Sequence, residues 1–153
     1  MIKDKIVLGV VVGVIATIPQ LIFNFFMVRL NLSNFYDFQI SGGIYLYKNL
    51  TYTFWGLVLG GLVWEFMAAG LGILMVFLIL WTGKKYWWVK GILVSNTVMF
   101  IFLYGLLLDF ANPRIVPWDL GTNWSVFIEN LIFGFTIGFL TNCWLENKVG
   151  LTK

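Results

Sequence analysis

Residues 54–81 read FWGLVLGGLVWEFMAAGLGILMVFLILW, an unbroken apolar run with a single charge, Glu65, inside it. An α-helix rises about 1.5 Å per residue, so about 20 apolar residues cover the roughly 30 Å hydrocarbon core of a bilayer. This run is long enough to cross, and residues 6–28, 87–108 and 124–145 form three more of the same kind, each bounded by charges or turn residues. The pattern predicts an all-α integral membrane protein, with residues 1–153 forming a single transmembrane domain built as an antiparallel four-helix bundle.

Composition agrees, since a chain that is 60% hydrophobic and 11% charged would not stay dispersed in water as a small globule. Residues 29–53, the longest stretch between runs, are too few for a core of their own. One cysteine, Cys143, cannot form an internal disulfide, and with no histidine in the chain no zinc, haem or iron–sulfur site is expected. Neither metal nor cofactor is therefore expected. Lys3 and Lys5 before an apolar stretch resemble a secretory signal, but the stretch is longer than a signal core and lacks a small-x-small cleavage site, so it reads as an uncleaved first span.

Cations set the expected orientation. Lys3, Lys5, Lys84, Lys85, Lys90, Lys148 and Lys153 fall on one side of the runs, and Arg29, Lys48 and Arg114 on the other. The positive-inside rule then makes both termini and the turn at residues 83–86 cytoplasmic. Asp37, Asp109 and Asp119 lie opposite. Trp55, Trp118 and Trp124 mark an outer interfacial belt, Trp81, Trp87, Trp88 and Trp144 an inner one, and only Trp64 lies deep.

The runs form two hairpins joined by Thr82-Gly83-Lys84-Lys85-Tyr86, with a faint parallel repeat that superposes Gly9 on Gly91 and Asp37 on Asp119. Between the first two runs, Leu32, Phe35, Tyr36, Ile40, Ile44 and Tyr47 recur at near-helical spacing. A short helix on the outer membrane surface and an aromatic-rich loop both fit that pattern. Pro113 and Pro117 in the second outer loop favour a fixed turn, and Pro19 should kink the first span.

Small and polar residues line up along the runs. Gly9 and Gly13 share a stripe with Ala16, Thr17, Gln20 and Asn24; Gly61 shares one with Glu65, Ala68, Ala69 and Gly72; Gly134 and Gly138 share one with Asn130 and Thr141. Such faces let helix backbones approach closely where lipid supplies no hydrophobic force between helices. Packing within one bundle and pairing of two copies both use this device.

The candidate buried polar site is Gln20, Asn24, Glu65, Asn96, Glu129 and Asn130. Glu65 lies ten residues inward from Trp55, about 15 Å deep, where an acid without a cation is expected neutral and hydrogen-bonded. Gln20 and Asn96 are its expected partners. Asn24, Glu129 and Asn130 fall within about two helical turns of the outer surface, and Glu129 is expected to snorkel to water. Asn31, Asn49 and Asn123 begin glycosylation triplets, discounted because two abut the membrane. Phosphate loops, nucleophile elbows, paired hydrolytic acids and nucleic-acid-binding basic patches are absent from the sequence.

The segment Gly83-Lys84-Lys85-Tyr86, Lys90-Gly91 opening the third run, residues 113–122, and Asn130-Leu131-Ile132-Phe133-Gly134 form a characteristic order of parts. In that order the chain resembles the uncharacterised small four-span membrane proteins of Gram-positive bacteria, of the YqhR-like kind. The resemblance covers most of the chain in layout and little in specific motif. It implies a bacterial cytoplasmic membrane location and carries over no catalytic residues. The reading is a non-enzymatic structural or accessory component of a membrane assembly, whose partners are the lipid bilayer and other membrane proteins or a second copy, and not nucleic acid. The alternative is a small oligomeric transporter or channel that uses Glu65 as a proton or cation site.

Overall fold

Asp4 opens the first helix by accepting the backbone N–H groups of Ile6 and Val7, at 2.7 and 3.2 Å, which satisfies donors a helix start leaves free. The computed structural model describes residues 4–99 and 119–149. These form α1 (Lys5–Arg29), α2 (Asp37–Gly42), α3 (Lys48–Thr51), α4 (Phe54–Thr82), α5 (Trp87–Met99) and α6 (Leu120–Val149), with no strand among the described residues. Three helices, α1, α4 and the Leu120–Leu145 part of α6, are long and apolar enough to cross a membrane. Of the run at residues 87–108, α5 covers the part to Met99; residues 100–108 and the loop prolines Pro113 and Pro117 lie outside the described residues.

The distribution of side chains is the reverse of a water-soluble bundle. Phe66, Trp55, Phe54, Leu62 and Ile18 are exposed, while Thr17, Gln20, Asn24, Ser95, Ser125, Glu129 and Thr141 are buried. Lipid solvates the first group and cannot satisfy the second, so polar groups turn inward to find partners.

Glycines set how closely the helices meet. A Cβ on Gly13 would strike the backbone of Ala68, and one on Gly72 the backbone of Gly9, so α1 and α4 lie backbone against backbone. The second pair, α5 and α6, closes in the same way: a Cβ on Gly134 would stand 2.7 Å from the Gly91 carbonyl oxygen, and one on Gly138 2.8 Å from that of Trp87. The two hairpins differ in register, because Gly9 meets Ile73 whereas Gly91 meets Gly134. Where α2 meets α4 the close approach falls at Gly60, which meets the Phe38 carbonyl, and not at Gly61, which touches only the Phe38 ring at 3.7 Å. The expected packing role of Gly61 therefore belongs to its neighbour. One residue is about 100° around a helix, and in a glycine-rich run either position completes a stripe.

Between α1 and α4 the chain forms two short helices, and α2 is tucked into the bundle. Asp37, Gln39, Ser41 and Gly42 are its buried residues. Ser41 Oγ donates to the Gly60 carbonyl at 2.8 Å. The aromatic periodicity fits a helix resting on the outer membrane surface or a loop; instead α2 docks its small and polar face on glycine, because that face lets two backbones touch.

Turns are fixed by a few residues. Gly83, at φ +81, ends α4 in a conformation that a side chain disfavours, and Lys90 Nζ donates to the carbonyls of Gly83 at 2.6 Å and Thr82 at 3.3 Å. α6 begins at Leu120, four residues before the apolar run, because Asp119 accepts the Thr122 N–H at 2.7 Å and caps a polar first turn.

Gly72→Leu is expected to lower the stability of the detergent-solubilised protein by about 1–3 kcal/mol, because its side chain would enter the α1 backbone. Gly70→Leu, with open space around it, should stay within about 0.5 kcal/mol of the parent chain. Thermal melting of both variants compares them, and equal melting would refute the assigned face.

Candidate functional site: the buried polar groups

Glu65 sits half-buried on α4, where Thr17 Oγ of α1 donates to its Oε1 at 3.1 Å. The same hydroxyl lies 2.7 Å from the Val14 carbonyl. Thr17, which the sequence places only in the packing stripe of the first run, is thus the partner of this acid. Gln20, one turn further along, is buried and lines a small cavity with Trp64, Met67, Ala68, Leu71 and Phe133. Asn96 turns back onto its own helix and donates to the Ile92 carbonyl at 3.0 Å. The three residues expected to meet near the midplane therefore serve separate places.

A second group forms where α1, α2 and α6 converge. Glu129 is 0% exposed, which overturns the expectation that it snorkels. Its Oε1 accepts from Asn24 Nδ2 of α1 at 3.1 Å and from Ser125 Oγ one turn earlier on α6. Two donors inside the bundle replace the water it would otherwise seek. Asn24 also accepts the Asp37 N–H on its Oδ1 at 3.2 Å and reaches the Phe35 carbonyl at 3.4 Å, so a single amide fastens α2 and the preceding loop to the bundle.

Asp37 completes this group. It is 1% exposed, and neither carboxyl oxygen receives a donor from the described residues. Burial pushes its carboxyl well above the usual range, and the charge of Glu129 and a hydrogen bond to that side chain push the same way. Sequence reading placed Asp37 among the outer loop acids.

Asn130, beside Glu129, is buried and serves through its backbone, whose carbonyl accepts from Ser95 Oγ of α5 at 2.9 Å. Thr122 and Ser33 tie the start of α6 to the end of α1, with Asn34 N–H on Thr122 Oγ1 at 2.9 Å. At Asp119, slight burial raises the carboxyl, but bonds from Thr122 and Asn34 outweigh it and hold the group below its usual range. Among the described residues no cluster of His, Cys, Asp and Glu is arranged to hold a metal ion.

The Thr17–Glu65 bond is expected to couple the two residues. In a double-mutant cycle of Thr17→Ala and Glu65→Ala, the double variant should be more stable than the sum of the single losses predicts, by about 0.5–1.5 kcal/mol; strict additivity would show that the bond does not hold the helices. The chain matches no family model, no curated protein and no solved structure.

Proposed function

We propose that this chain is a four-span protein of a bacterial cytoplasmic membrane, with both termini on the cytoplasmic side, that serves without catalysis as a structural or accessory component of a membrane assembly. The observation that carries this reading is the engagement of Glu65 with Thr17 of the neighbouring helix. The cavity beside Gln20 measures about 10 Å³, room for about one water. Glu65 does not line it and is engaged with Thr17 between helices. An acid tied to a neighbouring helix suits cohesion of the bundle better than conduction through it.

The orientation rests on the cation asymmetry, with Lys84 and Lys85 in the turn at one end and Lys48 in the short helices at the other. Phe66, 78% exposed and one residue beyond Glu65, presents a broad apolar surface at mid-helix that suits lipid or another transmembrane segment. The alternative reading, a small oligomeric transporter or channel, finds its support in the buried acids Asp37 and Glu129 rather than in Glu65.

Two experiments test the proposal. In a background lacking Cys143, Lys85→Cys should be protected from a membrane-impermeant thiol reagent in intact cells, and Lys48→Cys should react; the opposite pattern would reverse the orientation. A photo-crosslinking residue in place of Phe66 should yield protein adducts of discrete mass in native membranes. Adducts to lipid alone would contradict the accessory role.

A further inference from the structure

We propose that Asp37 and Glu129 form a proton-binding site, a buried pair of carboxyl groups that holds one proton between them where α2 docks on α1 and α6. Four carboxyl oxygens are buried here, and both available donors, Asn24 Nδ2 and Ser125 Oγ, go to Glu129 Oε1. Glu129 Oε2 and both oxygens of Asp37 receive none from the described residues.

Neither donor is free to turn. The Asn24 amide is fixed at both ends, its Oδ1 by the Asp37 N–H and its Nδ2 by Glu129 and the Phe35 carbonyl. The Ser125 hydroxyl has one hydrogen, already given. One amide, Asn24, joins the Asp37 backbone to the Glu129 carboxyl, and the Glu129 side chain acts on Asp37 as a charge and as a hydrogen-bond partner. Two carboxylates have no hydrogen to share, so such a contact requires that one of them be protonated. A calcium ion would seek about six to eight oxygens, and among the described residues no group of three or more metal-ligating side chains is arranged to hold one. The smallest occupant fits best.

The surrounding elements supply no compensating charge among the described residues. From α1 the pair meets the neutral Asn24, while the Arg29 guanidinium lies over the Phe25 ring. From α3, the exposed Lys48 lies over the Phe35 ring, 5.3 Å from its centre. α4 offers the Gly60 carbonyl, already taken by Ser41, and its one acid, Glu65, is bonded to Thr17. At the start of α6, Asp119 is occupied with the Thr122 N–H. Burial and Glu129 are what act on Asp37.

A consequence for α2 follows from where the two acids sit. Asp37 is the first residue of that helix, and its docking rests on Asn24, on the Ser41 bond to Gly60 and on the shared proton. Removing the proton would leave two like charges in a site without a cation, which favours release of α2 toward water. The sign of the pH dependence is fixed. Folded, the pair keeps a proton that the unfolded chain, with its acids near about 4, gives up. Stability supplied by the pair is therefore full below the unfolded value and lost as pH rises, by about tenfold in the folding equilibrium per pH unit.

The test compares the detergent-solubilised parent chain with Asp37→Asn/Glu129→Gln, which keeps the shape of both groups and supplies its own donors. Between pH 5 and 7 the folding equilibrium of the parent should fall about tenfold per pH unit more steeply than that of the variant. Equal slopes would overturn the proposal. If the double variant does not assemble, infrared absorption of Glu65→Gln protein in bilayers decides. A protonated carboxyl band at pH 7 that is lost at alkaline pH is expected, and a spectrum of carboxylates alone at pH 7 overturns the site. The proton site stands or falls apart from the accessory role, because the crosslinks from position 66 do not depend on the state of Asp37.

Discussion

The backbone of Gly9 occupies the place where a side chain on Gly72 would begin, and the backbone of Ala68 does the same for Gly13. Most of the bundle depends on this absence of side chains. In lipid the exposed faces of α1 and α4 gain nothing by hiding Phe66 or Ile18, so association must come from dispersion contact and from hydrogen bonds that bilayer lipid cannot offer. Both need the helix axes close together. The same device brings α5 onto α6 at Gly91 and Gly134, and α2 onto α4 at Gly60.

Close approach then decides which polar groups find partners. Glu65 reaches Thr17 because Gly13 and Gly72 have drawn α1 and α4 together along the same face. Asn24 bridges Asp37 and Glu129 because Gly60 lets α2 sink against the bundle instead of resting on the membrane surface. One part of the molecule ties helices with single hydrogen bonds; the other gathers two buried acids. The first suits a rigid scaffold. The second gives that scaffold a group able to change its charge.

Much of this was legible in the sequence. Runs of more than about 20 apolar residues announce spanning helices because length and hydropathy are local properties. Described helices lie within a few residues of the runs, and α6 starts earlier only because its first turn, Gly121-Thr122-Asn123, is polar and held by the Asp119 cap. Gly9, Gly13, Gly134 and Gly138 were readable as close-packing positions, whereas the choice of Gly60 over Gly61 depends on where α2 arrives. The fate of Glu129 was not readable. Whether an acid near a span end snorkels or stays inside depends on what lies across from it, and Asn24 and Asp37 are distant in the chain. Asp37 itself looked like a solvated loop acid, since nothing local to residues 33–41 reports that the helix it opens is buried.

The claim beneath all of this is that α1, α4 and α6 run across a bilayer. Oriented circular dichroism of the protein in stacked, aligned bilayers reports it directly. The account predicts the signature of helices standing along the bilayer normal, with only a minor in-plane contribution from α2 and α3. A spectrum dominated by helices lying in the membrane plane would contradict it.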